Sequence, residues 1–78
     1  MKFTATNRKT DEQITVTADS YPEAGNKAAQ KFCKSKTVTG HRATGDGDKS
    51  GVFGCYKFDE KINALNHQGL EFHLSENN

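Results

Sequence analysis

Residues 20–36, SYPEAGNKAAQKFCKSK, constrain the fold more than any other stretch, because they read as one capped amphipathic helix between two pairs of strand-like segments. Ser20 and Glu23 form an S-x-x-E capping box: the serine oxygen takes an orphan backbone N–H and the glutamate reaches back to the cap. Pro22 falls in the first turn, where its missing donor is harmless. At about 3.6 residues per turn, Tyr21, Ala24, Ala28 and Phe32 share roughly one third of the circumference, with Ala29 and Cys33 at its edge. That is the buried face. Gly25 lies on it too. A glycine there costs up to about 1 kcal/mol against alanine but lets a neighbouring backbone or ring come close, so the spacing predicts a helix seated tightly on a sheet.

The flanking segments supply that sheet. Lys2–Thr6 and Gln13–Ala18 alternate apolar residues with threonine, the period-two pattern of half-buried strands, and place Phe3, Ala5, Ile14, Val16 and Ala18 toward the helix. The polar segment Asn7 to Glu12 suits a hairpin loop. After the helix come a glycine-interrupted strand over 37–44, turn chemistry over 45–51 and an aromatic-rich strand over 52–58, a second hairpin. Residues 59–68 fit either a helical turn or an irregular connection. Leu70–Leu74 alternates as a final strand, and 75–78 read as a frayed tail. The expected architecture is α+β: a two-layer sandwich in which one helix packs on one face of a mainly antiparallel sheet of four to five strands, ββαββ plus a terminal strand. Residues 1–74 form the single expected domain.

The helix also carries a stripe of charge. Lys27, Lys31 and Lys34 recur at i, i+4 and i+7 beside the apolar face, Lys36 follows, and Arg42 is a further extension. Two readings stand. In the first the stripe is solvated helix surface: Glu23 pairs with Lys27, and cations near the C-terminus suit the helix dipole. In the second, mutual repulsion of a few tenths of a kcal/mol per pair is relieved by an anionic partner. Residues 1–40 hold seven basic and four acidic side chains and residues 41–78 four and six, so the positive charge gathers in the half that contains the helix. A formal net charge of +1 over the chain excludes both a polycation that coats nucleic acid and an acidic DNA mimic, so any electrostatic function is local.

Seventy-eight residues of which 32% are apolar make a small core, and no apolar run approaches membrane-spanning length. Met1–Thr6 turns polar at once, unlike a signal peptide, which predicts a cytoplasmic location with no membrane partner. Cys33 and Cys55 are too few for a disulfide scaffold and read as reduced, partly buried thiols. Asp46-Gly47-Asp48-Lys49-Ser50-Gly51 matches the first half of an EF-hand loop, but the twelfth position is Lys57 where the metal needs a bidentate glutamate, so a plain turn is expected. His41, His67 and His73 have no zinc spacing with each other or with the cysteines. No phosphate-cradling glycine motif is present, and no catalytic residue, metal or cofactor is expected. Alternation sends Phe53 to one sheet face and Tyr56 and Phe58 to the other, so at least one set belongs to the core and the other resembles a stacking platform for bases.

A wider resemblance lies in the order of these elements. A hairpin, a helix opening at Thr17-Ala18-Asp19-Ser20 and continuing through Glu23-Ala24 to Ala28, and a second hairpin with Gly51-Val52-Phe53-Gly54-Cys55-Tyr56-Lys57 together resemble small phage-encoded inhibitors of the type I-F anti-CRISPR kind. The likeness covers residues 1–62. It implies a non-enzymatic protein, in the cytoplasm of a host cell, that binds a host protein or nucleoprotein complex and blocks its nucleic-acid channel with lysines, polar side chains and loops. On this reading Lys27, Lys31, Lys34, Lys36 and Arg42 bind the partner. The alternative is a small nucleic-acid-binding accessory protein that sets the same lysines on phosphates.

Overall fold

A computed structural model of the chain describes residues 1–44 and 50–77. The element order is β1 (Lys2–Asn7), β2 (Gln13–Thr17), α1 (Tyr21–Cys33), β3 (Val38–Thr44), β4 (Ser50–Asp59) and β5 (Ala64–Glu76). The strands form one open antiparallel sheet in the order β2-β1-β5-β4-β3 with α1 packed against it, the α+β architecture expected from the patterning. The strand predicted to come last is central. β5 pairs with β1 on one side and β4 on the other, so the two hairpins meet only through it. Because β2 and β3 are the two edges, α1 must cross the whole sheet to join them.

The helix forms where its cap predicts. Ser20 Oγ accepts from the Glu23 N–H at 3.3 Å, while the Glu23 carboxylate accepts from the Asp19 N–H at 2.7 Å, one residue earlier than a regular capping box would place it. Tyr21, Ala24, Gly25, Ala28 and Ala29 are buried, and Phe32 and Cys33 pack partly buried against the same core. The opposing layer is Phe3, Ala5, Val16, Val38, Phe53, Cys55, Phe72 and Leu74. Rings link across it: Tyr21 meets Phe53 edge-on at 5.3 Å, Phe53 stacks on Phe72 at 5.7 Å, and Phe72 meets Phe32 at 5.5 Å. Such pairs contribute roughly 0.5–1.5 kcal/mol each beyond area burial. Because the helix meets the sheet mainly through alanines, Ala24, Ala28 and Ala29, these rings carry much of the packing between the layers.

Several boundaries differ from the sequence reading. The helix ends at Cys33 and not at Lys36, because Lys34 turns into the left-handed region (φ 52°) and a Schellman-type cap closes, with the Ser35 N–H on the Gln30 carbonyl at 3.1 Å. The ambiguous stretch 59–68 is neither helical nor irregular throughout: a turn over 60–63 leads directly into β5, which is 13 residues long. Ser75 and Glu76, expected to fray, pair with Thr4 and Phe3, and the Asn77 side chain accepts from Thr4 Oγ1 at 2.7 Å. Of the calcium-like loop 46–51, only Ser50 and Gly51 fall within the described residues, as the start of β4.

Candidate functional site

Two glycines decide where the helix sits. A Cβ on Gly40 of β3 would lie 2.4 Å from the Gly25 carbonyl oxygen, and one on Gly25 would lie 2.3 Å from the Phe53 ring. The helix therefore rests almost backbone to backbone on the β3 side. Asn26 Oδ1 accepts the Gly40 N–H at 2.9 Å and seals that contact. Drawn toward β3, α1 leaves the β2 edge uncovered, and a groove of about 590 Å³ opens between them. Thr15, Val16 and Thr17 form one wall; Lys27, Gln30, Lys31 and Lys34 form the other, with Ser35 and Lys36 closing the end.

Four of the five residues expected to bind a partner are thus brought to one place. Lys27 is the most tethered: its Nζ donates to the Thr17 carbonyl at 2.7 Å and lies 3.9 Å from the Glu23 carboxylate, the i, i+4 pair anticipated from the sequence. Among the described residues Lys31, Lys34 and Lys36 have no carboxylate within ion-pair distance. These three exposed lysines line the groove together with Lys27, and the clustering of like charges makes the local potential positive. Arg42 does not extend this surface. It stands at the opposite edge of the sheet, with its guanidinium 5.3 Å from the centre of the Tyr21 ring, in a shallow pocket with Asn26 and Phe53.

The reactive groups are kept apart. Cys55 is fully buried on the helix face, and burial, reinforced by neighbouring Cys33, pushes its thiol up to about 12. It stays protonated at neutral pH and is a poor nucleophile. Both thiols are free. Alternation along the strands puts His41, His67 and His73 on the other, open face, so the sheet separates every histidine from Cys55. There Tyr56 lies between His41 and His67, edge-on to each at 5.4 and 5.0 Å, over a bare patch of backbone at Gly54. Phe58 and Leu65, paired further along the β4–β5 arm, are also exposed. Phe53 is therefore the core set, and Tyr56 and Phe58 are the surface set. Among the described residues no group of three or more His, Cys, Asp and Glu is placed to hold a metal ion, and no helix is long and apolar enough to cross a membrane.

Sequence reasoning reached the lysines through their helical spacing but missed the strand that faces them. Nothing in Gln13–Thr17 marks it as an edge. The signal lies in the topology, since a terminal strand inserted at the centre of the sheet leaves β2 with one partner. The chain matches no protein-family model and no curated protein.

Proposed function

We propose that this chain is a small non-enzymatic binding protein that docks its α1–β2 groove on an acidic surface of a partner, as an inhibitor that occupies a site where a host nucleoprotein complex holds nucleic acid. One observation carries the reading: Lys27, Lys31, Lys34 and Lys36, scattered over ten residues of sequence, line a single groove in which, among the described residues, only Lys27 has a carboxylate partner. The likeness in element order to phage-encoded inhibitors supports the inhibitory sense and a cytoplasmic site of action.

A second reading, direct binding of nucleic acid, draws on the exposed ring of Phe58 and the half-buried ring of Tyr56 together with the lysines. The rings and the lysines lie on opposite faces of the sheet, so one strand does not reach both. Capture from a bacterial lysate separates the two readings when wild type is compared with K27E/K31E/K34E, each with and without nuclease treatment. The proposal expects a protein retained by wild type through nuclease digestion and lost with the folded triple variant. Retention by the variant returns the lysines to a solvated face, and loss on nuclease treatment transfers them to phosphates.

A further inference from the structure

We infer that the partner enters this groove as an added strand: an extended acidic polypeptide segment pairs antiparallel with the outer edge of β2 and sets a carboxylate at every second residue beneath Lys27, Lys31 and Lys34. The inference rests on the groove being a partner-binding surface, and it names how the partner is held.

The phase of the β1–β2 ladder shows which groups β2 turns outward. At one end the Ala18 N–H donates to the Met1 carbonyl at 3.0 Å and the Met1 ammonium donates to the Ala18 carbonyl at 3.1 Å. At the other, the Asn7 N–H donates to the Glu12 carbonyl at 2.8 Å. Bonded and non-bonded pairs alternate along an antiparallel ladder. Phe3/Val16 and Ala5/Ile14 are therefore bonded pairs, and Gln13, Thr15 and Thr17 point their N–H and C=O groups away from the sheet. The Thr17 carbonyl confirms the phase, since it accepts Lys27 Nζ from outside. Among the described residues the N–H and C=O of Gln13 and Thr15 and the N–H of Thr17 have no protein partner.

Sheet edges are commonly blunted by a charge, a proline or a bulge. Gln13-Ile14-Thr15-Val16-Thr17 has no charged residue and no proline, and its register with β1 is unbroken. Outward donors and acceptors at every second residue match the spacing of another polypeptide backbone, not that of a sugar–phosphate chain, so the occupant is a polypeptide. Directly opposed side chains of an antiparallel pair share a face. Partner residues that bond to Gln13, Thr15 and Thr17 therefore point to the open side of the sheet with them. The residues in between point to the helix side, where the lysines are, and these are the acidic ones.

The peptide acetyl-Glu-Thr-Glu-Thr-Glu-Thr-Glu-amide probes this arrangement on the intact chain by amide shifts and exchange. Two analogues accompany it, one N-methylated at the threonine nitrogens that would bond to β2, the other at the glutamate nitrogens that would not. The parent should protect the amides of Gln13, Thr15 and Thr17, and the threonine-methylated analogue should bind at least about tenfold more weakly while the glutamate-methylated one stays close to the parent. T15P, which removes the outward Thr15 N–H at an edge-strand position where proline is tolerated, should, once amide spectra show the variant folded, weaken the parent to the same extent. Equal binding of both analogues overturns strand addition while leaving the lysine groove as a charge-reading surface. No binding of the parent overturns both.

Discussion

The two edges of this sheet are built from neighbouring residues of one helix and end in opposite states. At β3, Asn26 caps the Gly40 N–H and Gly25 brings the helix backbone down onto the strand, so the edge is covered. At β2, Lys27 reaches only the Thr17 carbonyl, and the helix stands off behind a row of lysines. The lesson is that one close approach fixes the far side as well. The glycine pair draws the helix onto one edge, and the other stays open.

Disrupting the covered edge should cost most. F53A removes the buried ring on which Gly25 rests and which joins Tyr21 to Phe72, and it should destabilise the fold by about 3–5 kcal/mol. Chemical denaturation reads this directly, and an unchanged midpoint would place the ring outside the core. G40A adds a single methyl against the Gly25 carbonyl, where backbone and not a flexible side chain must give way, and should cost about 1–3 kcal/mol. A neutral G40A would show that the helix does not sit as close to β3 as the groove requires.

The uncovered edge should respond in the opposite sense. Lys34 occupies the left-handed cap position that helices usually give to glycine, at a backbone cost of roughly 1 kcal/mol. K34G should raise stability by up to about 1 kcal/mol while weakening an acidic partner. A variant that gains stability and keeps full binding would remove Lys34 from the site; one that loses stability would mean that the side chain supports the fold.

Much of this contrast was legible in the residues and part was not. The capping box, the small-residue face and the lysine spacing are local patterns, and each gave its element or stripe at the right place. Gly25 announced a close approach without saying to what, because its partners, Gly40 and Phe53, lie on strands that only the tertiary fold brings near. Lys34 reads as a good helix former, so the helix end was misplaced; the cap that ends it depends on a turn through Ser35 that no residue preference signals. Arg42 looked like an extension of the stripe because sequence distance is blind to a helix that crosses from one edge to the other. The length of β5 was hidden for the same reason: residues 64–68 are exposed on both sides, and what holds them extended is the pairing with β4.

Amide hydrogen exchange along β2 in the free protein tests the open edge most directly. Bonded pairs to β1 should protect Ile14 and Val16, while Gln13, Thr15 and Thr17, whose amides face outward, should exchange nearly as fast as in an unfolded chain, and Gly40 at the covered edge should be protected by Asn26. Alternating protection over Gln13–Thr17 together with a slow Gly40 is the predicted result. Uniform protection across β2, or a slow Thr15 beside a fast Val16, would contradict it and close the edge on which the proposed binding site rests.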